Sequence, residues 1–378
     1  MVDGMRLPIG GLAALTTAAF ITVVTEALPA GVLPEMAGDL GVSESAAGQA
    51  VTVYAVATAL SAIPLTALTA SWRRRTLLLT GVGGFAVANT VTTVSPWYAL
   101  TMTGRLFAGI AAGLVWALLA GYARRMAPGR EGRAIAIVMA GIPLALSLGI
   151  PAGTFLGGLV GWRVTFGLMT AVAVVLLGWI ALAVPDFPGE ARGQKMSWRV
   201  PPAVYAVLGV MVAFVLAHNV LYTYIAPYLS EIGMGGSTDL VLLVFGISSI
   251  ASIWLTGLFI DRRLRALTIG ATLLVIAAAV LLLVGPVYAA TVLWGLGWGG
   301  IPTLLQTAAG RAGGDRADAA QTILVALWNA AMAGGGIAGG VLLDGMGARA
   351  FPYAVLGLLV LVLAVLIPAR RAFPRVTA

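Results

Sequence analysis

Long apolar stretches follow one another along almost the whole chain, separated by short breaks of charged residues, glycine or proline. The hydrocarbon core of a bilayer is about 30 Å thick and requires about 20 apolar residues per helix. Twelve stretches of that length fit between the breaks, and each is predicted to form a transmembrane helix. They cover residues 10–34, 46–70, 76–95, 97–123, 134–160, 162–184, 201–230, 238–260, 266–285, 287–310, 317–341 and 350–369.

The composition leads to the same class of protein. Hydrophobic residues make up 60% of the 378 residues and charged residues only 10%, a balance that excludes a water-soluble domain of this length. An all-α membrane protein is therefore predicted. The chain has no cysteine, which excludes disulfides, thiolate metal sites and cysteine nucleophiles, and a single histidine cannot complete a metal site.

The positions of the basic residues predict how the chain is oriented. Of the 22 basic residues, 19 lie on the side of the predicted helices that also carries both chain termini. Because cytoplasmic loops are enriched in Arg and Lys, both termini are expected in the cytoplasm, and the net charge of +8 requires no nucleic-acid partner. The first apolar run reaches spanning length without a small-residue cleavage site, so it is interpreted as a retained helix.

A polar segment at the midpoint divides the chain into similar halves. Residues 185–200 are interpreted as a cytoplasmic linker between a first six-helix bundle, 1–184, and a second, 201–378. A basic cluster follows the second helix of each half, at 66–75 and at 257–265. An even number of helices in each half makes the repeats parallel, which is typical of one large group of transporters.

These clusters resemble the loop signature of the major facilitator superfamily, Gly-x-x-x-Asp-Arg-x-Gly-Arg-Arg. The second copy keeps the glycine at 257 together with Asp261 and Arg262. The first copy has three basic residues but carries Ala70 where the family has its acid, so the inner-gate salt bridge of the family is not expected there. The resemblance implies a gating role for Arg73, Arg74, Arg75, Asp261 and Arg262.

Further segments resemble the drug and sugar efflux branch of that family, which includes chloramphenicol and arabinose exporters. They are residues 25–43, the arginine of helix 4 with glycines four and eight residues later, and residues 149–157 and 161–166 of helices 5 and 6. Gly149, Gly153 and Gly157 recur every four residues and predict a smooth strip on helix 5, which we expect to face helix 8 of the other half. Pro151 is expected to help bend this helix during gating.

Only three ionisable residues lie deep within predicted helices: Glu26, Arg105 and His218. At a rise of about 1.5 Å per residue they lie roughly 12, 14 and 18 Å from the outer ends of helices 1, 4 and 7, which line the central cavity in the resembled family. Glu26 is predicted to carry the proton, and the alternative is a permanent structural ion pair with Arg105. His218 is interpreted either as a second titrating group or as a hydrogen-bond partner of Asn219 or of substrate.

Aromatic and amide side chains on the same helix faces are the predicted substrate contacts, although packing or lipid contact is the alternative for the aromatic ones. The candidates are Tyr54, Trp116, Asn219, Tyr222, Trp294, Trp298, Gln306 and Asn329.

The resemblance implies two six-helix bundles in a bacterial inner membrane that rock about a central site. We therefore expect a monomeric proton-coupled antiporter that exports a small neutral or weakly cationic amphiphilic molecule, with lipid, substrate and protons as its partners and with no cofactor, no metal and no enzymatic activity. An uptake carrier for a sugar or nucleoside is one alternative, and a receptor or scaffold without transport is another. The substrate itself is not predicted.

Overall fold

A computed structural model describes residues 7–69, 71–128, 131–189, 199–369 and 372–373, and all regular secondary structure in these ranges is helical. The predicted all-α fold is therefore confirmed. The α-helices are α1 Ile9–Gly31, α2 Leu33–Leu40, α3 Glu44–Leu68, α4 Arg74–Val94, α5 Tyr98–Met126, α6 Glu131–Met139, α7 Gly141–Leu144, α8 Ile150–Val160, α9 Trp162–Ala183, α10 Pro202–Thr223, α11 Ile225–Glu231, α12 Thr238–Val284, α13 Val287–Trp298, α14 Ile301–Gly313, α15 Ala317–Met346 and α16 Phe351–Leu366.

Counted over the described residues, ten helices are long and apolar enough to cross a membrane. They match every predicted span except the second and the tenth. The second is one continuous helix, α3, of 25 residues. The tenth is divided into α13 and α14 at Gly299 and Gly300, so the prediction of one uninterrupted helix is wrong there. The Gly300 N–H donates to Ser252 Oγ at 3.1 Å, and Pro302 at the start of α14 has no N–H to continue the ladder.

Other spans are interrupted without losing their length. Span 5 consists of α6, α7, a π-helical turn at Ala145–Gly149 and α8, so the break lies between its two prolines. Spans 1 and 7 both break near their C-terminal ends, at Val32 and Tyr224, where the backbone leaves helical geometry. The eighth and ninth spans form the single element α12, which bends at Arg263.

The bundle has two ends. The linker end carries Leu7, Pro185 and the end of α16, and the far end is opposite. At the far end each half ties its first helix to its last: Arg163 Nη1 lies 2.5 Å from Asp39 Oδ2, and Arg349 Nε lies 3.5 Å from Glu231 Oε1. Gly161 and Gly347, both with positive φ, precede these arginines by two residues, which supports the predicted similarity of the two halves. The domain boundaries stay a prediction, and linker residues 190–198 lie outside the described residues.

The halves share buried apolar packing mainly at the far end. One cluster joins residues 204–373 of the second half to 23–50 and 145–166 of the first. The other cluster lies wholly within the first half, at 12–21, 54, 77–88, 108–138 and 173–184, which are mostly near the linker end. The interior is therefore closed at the far end, whereas at the linker end the first half has its own separate core.

The glycine strip of helix 5 packs on helix 1 of its own half, so the prediction that it faces helix 8 is wrong. A Cβ placed on Gly153 would lie 2.6 Å from Leu28, and Gly149 and Gly157 meet Val24 and Val32 in the same way. The small residue that lets helices 5 and 8 approach each other is on helix 8 itself, where Gly246 lies against the backbone of residues 146 and 147. The spacing predicted a smooth strip but did not determine its partner.

Candidate functional site

Arg105 of α5 is completely buried, and backbone carbonyls hold its guanidinium. Its Nε donates to Ala50 O and its Nη2 to Glu26 O, each at 3.2 Å. The guanidinium carbon lies 4.9 Å from the ring centre of Tyr54 and 5.8 Å from that of Phe166. Nη1 has no hydrogen-bond partner among the described residues. A cation that is buried with one nitrogen unpaired is costly, which is typical of a functional group in a membrane protein.

Glu26 of α1 is only partly buried, and its carboxyl forms no ion pair or hydrogen bond with any described residue. The alternative of a permanent Glu26–Arg105 ion pair is not what the structure contains, because Arg105 binds the backbone oxygen of Glu26 instead. The carboxyl is close enough to Arg105, Tyr54 and Tyr222 for electrostatic interaction. Since Tyr222 belongs to the second half, Glu26 lies near the junction of the two halves.

His218 of α10 lies in a cluster of aromatic rings contributed by α10, α12 and α13, which belong to spans 7, 8 and 10. Its ring is parallel to that of Trp298, with centroids 3.4 Å apart and an interplanar angle of 4°. Trp294 Nε1 donates to His218 Nδ1 at 3.1 Å, and Tyr222 and Phe245 approach at 5.1 and 5.8 Å. An indole N–H can only donate, so Nδ1 carries no proton and the neutral ring carries its proton on Nε2.

The partner of His218 is therefore Trp294 and not Asn219. Asn219 Nδ2 donates to Val215 O of its own helix at 2.9 Å. Sequence spacing correctly placed Trp294 and Trp298 on one face, but it gave no signal for Phe245, which no charge or motif distinguishes.

The other predicted substrate residues are less closely grouped. Tyr54 is buried beside Arg105, and its hydroxyl donates to Thr22 O at 3.1 Å. Trp116 is half-buried and packs against both apolar clusters. Asn329 Nδ2 donates within its own helix, and Gln306 is exposed on α14. The structure thus brings together two groups, Glu26–Arg105–Tyr54 and His218–Tyr222–Trp294–Trp298, and records no contact of Gln306 or Asn329 with either.

Tyr224, at the break between α10 and α11, closes the far end between the two halves. Its side chain is fully buried, and its hydroxyl lies 2.8 Å from Gly336 O, 3.4 Å from Ser45 O and 3.2 Å from Gln49 Nε2. A Cβ on Gly339 would lie 2.7 Å from the ring, so the glycines of α15 form a flat surface for it. Sequence reasoning did not identify Tyr224, although the small residues at 334–336, 339 and 340 were a usable signal.

The start of the linker binds the basic cluster after the second helix. Arg73 Nε lies 2.5 Å from Asp186 Oδ2, and the Arg75 N–H donates to Asp186 Oδ1 at 3.1 Å. The hydrogen bond from Arg73 holds the pKa of Asp186 below its ordinary value. An acid from the linker thus pairs with a cluster whose own acid is missing. Arg74 donates its N–H to Phe187 O at 2.9 Å.

One member of the predicted gating set cannot be placed, since the side chain of Asp261 lies outside the described residues, as does Ala70 of the first loop. Pro151 is the second residue of α8, which directly follows the π-helical turn, and Arg262 is exposed beside the bend of α12.

Comparison with known proteins agrees with this architecture. A model of the Major Facilitator Superfamily matches residues 15–324. The chain is 31% identical over 360 residues to the purine ribonucleoside efflux pump NepI of Escherichia coli O6:K15:H31 (strain 536 / UPEC), covering 92% of this chain and 90% of the pump. It is 32% identical over 373 residues to NepI of Salmonella paratyphi C (strain RKS4594), covering 94% and 92%.

Two solved structures are similar in fold. A bacterial homolog of the human lysosomal transporter Spinster, in an inward-facing and unoccupied conformation, has a TM-score of 0.75 at 15% identity and covers 98% of each chain. The nucleoside transporter NupG has a TM-score of 0.76 at 12% identity, covering 98% of this chain and 100% of its own. At these identities the likeness shows the fold alone.

Proposed function

The chain belongs to the major facilitator superfamily, as a multi-pass inner-membrane transporter of a small molecule, and on that premise we propose that it exports a purine nucleoside in exchange for protons. The substrate class is supported by relatives named purine ribonucleoside efflux pumps, which align over nearly the whole chain. A nucleoside is small, neutral and amphiphilic, which agrees with the class of substrate predicted from the sequence. Since one chain contains both halves of the bundle, we propose that a monomer is the transporting unit.

The proposed orientation places the linker end in the cytoplasm. It follows from the 19 of 22 basic residues on that side. The structure then corresponds to a state closed to the outside by Tyr224 and its neighbours. Rocking of the halves would separate α3 from α15 at the far end and bring the linker ends together.

We assign proton coupling to Glu26 with Arg105 as its electrostatic partner. The observation that carries this assignment is the carboxyl of a partly buried glutamate, without a fixed partner among the described residues, beside a buried guanidinium that the backbone holds in place. A proton from outside would neutralise Glu26 as the nucleoside leaves, and its loss to the cytoplasm would restore the carboxylate. Arg105 stabilises that carboxylate, so proton and substrate bind to alternate states.

The test uses purified protein in liposomes with an imposed pH gradient and radiolabelled inosine. In an antiporter, protons leaving an acidic lumen drive inosine into the vesicle, whereas a symporter accumulates inosine only when the lumen is alkaline. Glu26→Gln should abolish gradient-driven accumulation but retain exchange of internal for external inosine, because exchange needs no net proton movement.

Glu35→Gln is the matched control, since Glu35 is exposed near the far end of the same span and loses the same charge. Accumulation that persists in Glu26→Gln would show that Glu26 is not the carrier. Accumulation with an alkaline lumen would favour the uptake alternative. A wild-type protein that moves neither inosine nor adenosine would refute the proposed substrate.

A further inference from the structure

We infer that the Nε2–H of His218 is a fixed hydrogen-bond donor to an acceptor atom on the purine base of the substrate. This inference rests on the proposed function, and it assigns His218 to substrate recognition in place of proton transfer. Three features of the aromatic cluster carry it: the immobilised ring, the one donor left free, and the chemistry of the surrounding surface.

The His218 ring is held in one orientation by contacts on its face and its edge. The indole of Trp298 lies parallel to one face of the ring, with centroids 3.4 Å apart. Trp294 Nε1 donates a hydrogen bond to His218 Nδ1, with 3.1 Å between the two nitrogens. Tyr222 is nearly parallel as well, at 5.1 Å and 27°. A ring that is fixed in this way loses little further freedom when it binds a ligand, so its remaining donor is preorganised.

That remaining donor has no partner among the described residues. The Nε2 atom of His218 makes no hydrogen bond with them, and it is not one of the fully enclosed unpaired nitrogens and oxygens. It therefore borders accessible space within the bundle. An N–H in such an apolar place is costly without an acceptor, so a ligand that supplies one is favoured over an analogue that lacks it.

The surroundings select the kind of acceptor. The ring of Trp298 also contacts the half-buried ring of Trp328, with centroids 5.8 Å apart. The Nε2–H of His218 therefore lies beside a wall of aromatic rings and not among charged groups. A planar, neutral heterocycle can lie along such a wall while one of its ring nitrogens or its carbonyl accepts the N–H. The ribose is less suited to this place, because its hydroxyls need donors and acceptors together.

The experiment measures binding of inosine and of three analogues, each lacking one acceptor of the base, to purified protein by calorimetry. The analogues are 3-deazainosine, 7-deazainosine and purine riboside, which lacks the carbonyl. We expect His218→Leu to weaken inosine binding by about 10- to 100-fold, the range for loss of one buried hydrogen bond. One of the three analogues should bind the wild type that weakly and should lose nothing further in His218→Leu. His218→Gln, which keeps an amide N–H, should recover part of the affinity.

Thr291→Val is the matched control, because the Thr291 hydroxyl donates to Val287 O within α13, the helix that carries Trp294. It should weaken inosine and all three analogues equally or not at all. If His218→Leu does not fold, the wild-type panel still decides, since equal affinity for inosine and all three analogues would overturn the inference.

Two outcomes separate this inference from the proposed function. If the wild type binds no nucleoside, the proposed function fails. If it binds nucleosides, but the effects of His218→Leu and of each of the three base changes simply add, or if only 2′,3′-dideoxyinosine is insensitive to the mutation, then the base is not the partner of His218 and the inference is wrong.

Discussion

Replacing Tyr224 by Phe should shift the protein toward a state in which the far end is open. The Tyr224 hydroxyl is the polar group that joins α10 to Gly336 of α15 and to Gln49 of α3. Phenylalanine keeps the ring that lies on the α15 glycines, so packing is preserved and only the hydrogen bonds are lost. The change therefore isolates the polar contribution to the seal.

The size of the shift follows from the bonds that are lost. The bond from Gln49 Nε2 at 3.2 Å crosses between the halves, whereas the bond to Gly336 O at 2.8 Å lies within the second half. Loss of the crossing bond disfavours the closed far end by about 0.5–1.5 kcal/mol. This corresponds to a population change of roughly 2- to 12-fold.

The assay measures the distance between spin labels on the two halves at the far end. Because the chain has no cysteine, labels can be placed on Gly38→Cys and Gly236→Cys without background. Both glycines are exposed and have open space around them, so the labels should not disturb packing. In Tyr224→Phe the long-distance population should increase.

Tyr98→Phe is the matched control. The Tyr98 hydroxyl donates to Ala46 O at 2.9 Å, so it also bonds to the start of α3, but from α5 within the same half. Its loss should lower thermal stability without changing the distance distribution. A distribution that is unchanged in Tyr224→Phe, or changed equally in Tyr98→Phe, would refute the idea that Tyr224 seals the far end.

Two further changes test the linker end and helix 5. Asp186→Asn should lower the free energy of unfolding by no more than about 1 kcal/mol, because Arg73 is largely exposed. The pKa of Asp186 is lowered in the folded state, so its contribution to stability is present above the unfolded pKa and is lost as the pH falls through the folded pKa. The melting temperatures of wild type and variant should therefore converge below about pH 3.8. A difference that persists there would contradict the pairing. Gly153→Val should lower the free energy of unfolding by about 1–3 kcal/mol, because the new side chain would meet Leu28. Gly158→Val is the control, because its side chain would point into open space and should cause no such loss. Equal losses in the two variants would disprove the packing of the strip on helix 1.

The membrane fold was predictable because it depends on quantities that a single sequence contains. Apolar length predicts the spans, and ten of them are helices long and apolar enough to cross a membrane among the described residues, whereas the orientation derived from the charges stays a prediction. The interruption at Gly299 was missed because counting apolar residues does not register glycine or the hydroxyl of Ser252, a residue of another helix. Boundaries defined by local composition were therefore reliable, whereas a break stabilised by a neighbouring helix was not.

The candidate site was predictable only within single helices. Spacing places His218 and Tyr222 on one face of α10 and Trp294 and Trp298 on one face of α13, and both pairs lie together in the structure. That these faces meet depends on packing between helices far apart in the sequence, with His218 and Trp294 76 residues apart. Periodicity carries no information about such a meeting.

The missing acid at position 70 shows the same limitation. An alanine at this position cannot supply the acid of the family's salt bridge within the loop. The acid that pairs with Arg73 lies 113 residues away, at the start of the linker, where its sequence context suggests only a solvated turn. A compensating residue of this kind is visible only when the linker is placed against the loop.

The polar contacts at the far end are arranged in a way that suits the proposed rocking of the two halves. The ion pairs of the far end, Asp39 with Arg163 and Glu231 with Arg349, join the first and last helices within each half. The polar contact between the halves at that end is centred instead on the hydroxyl of Tyr224, which accepts a hydrogen bond from Gln49 Nε2 and is surrounded by glycines. Neutral hydrogen bonds contribute about 0.5–1.5 kcal/mol each, so the seal can open at modest cost while the pairs within each half stay intact. A few kcal/mol between two states is the range in which a bound ligand or proton decides which one is populated.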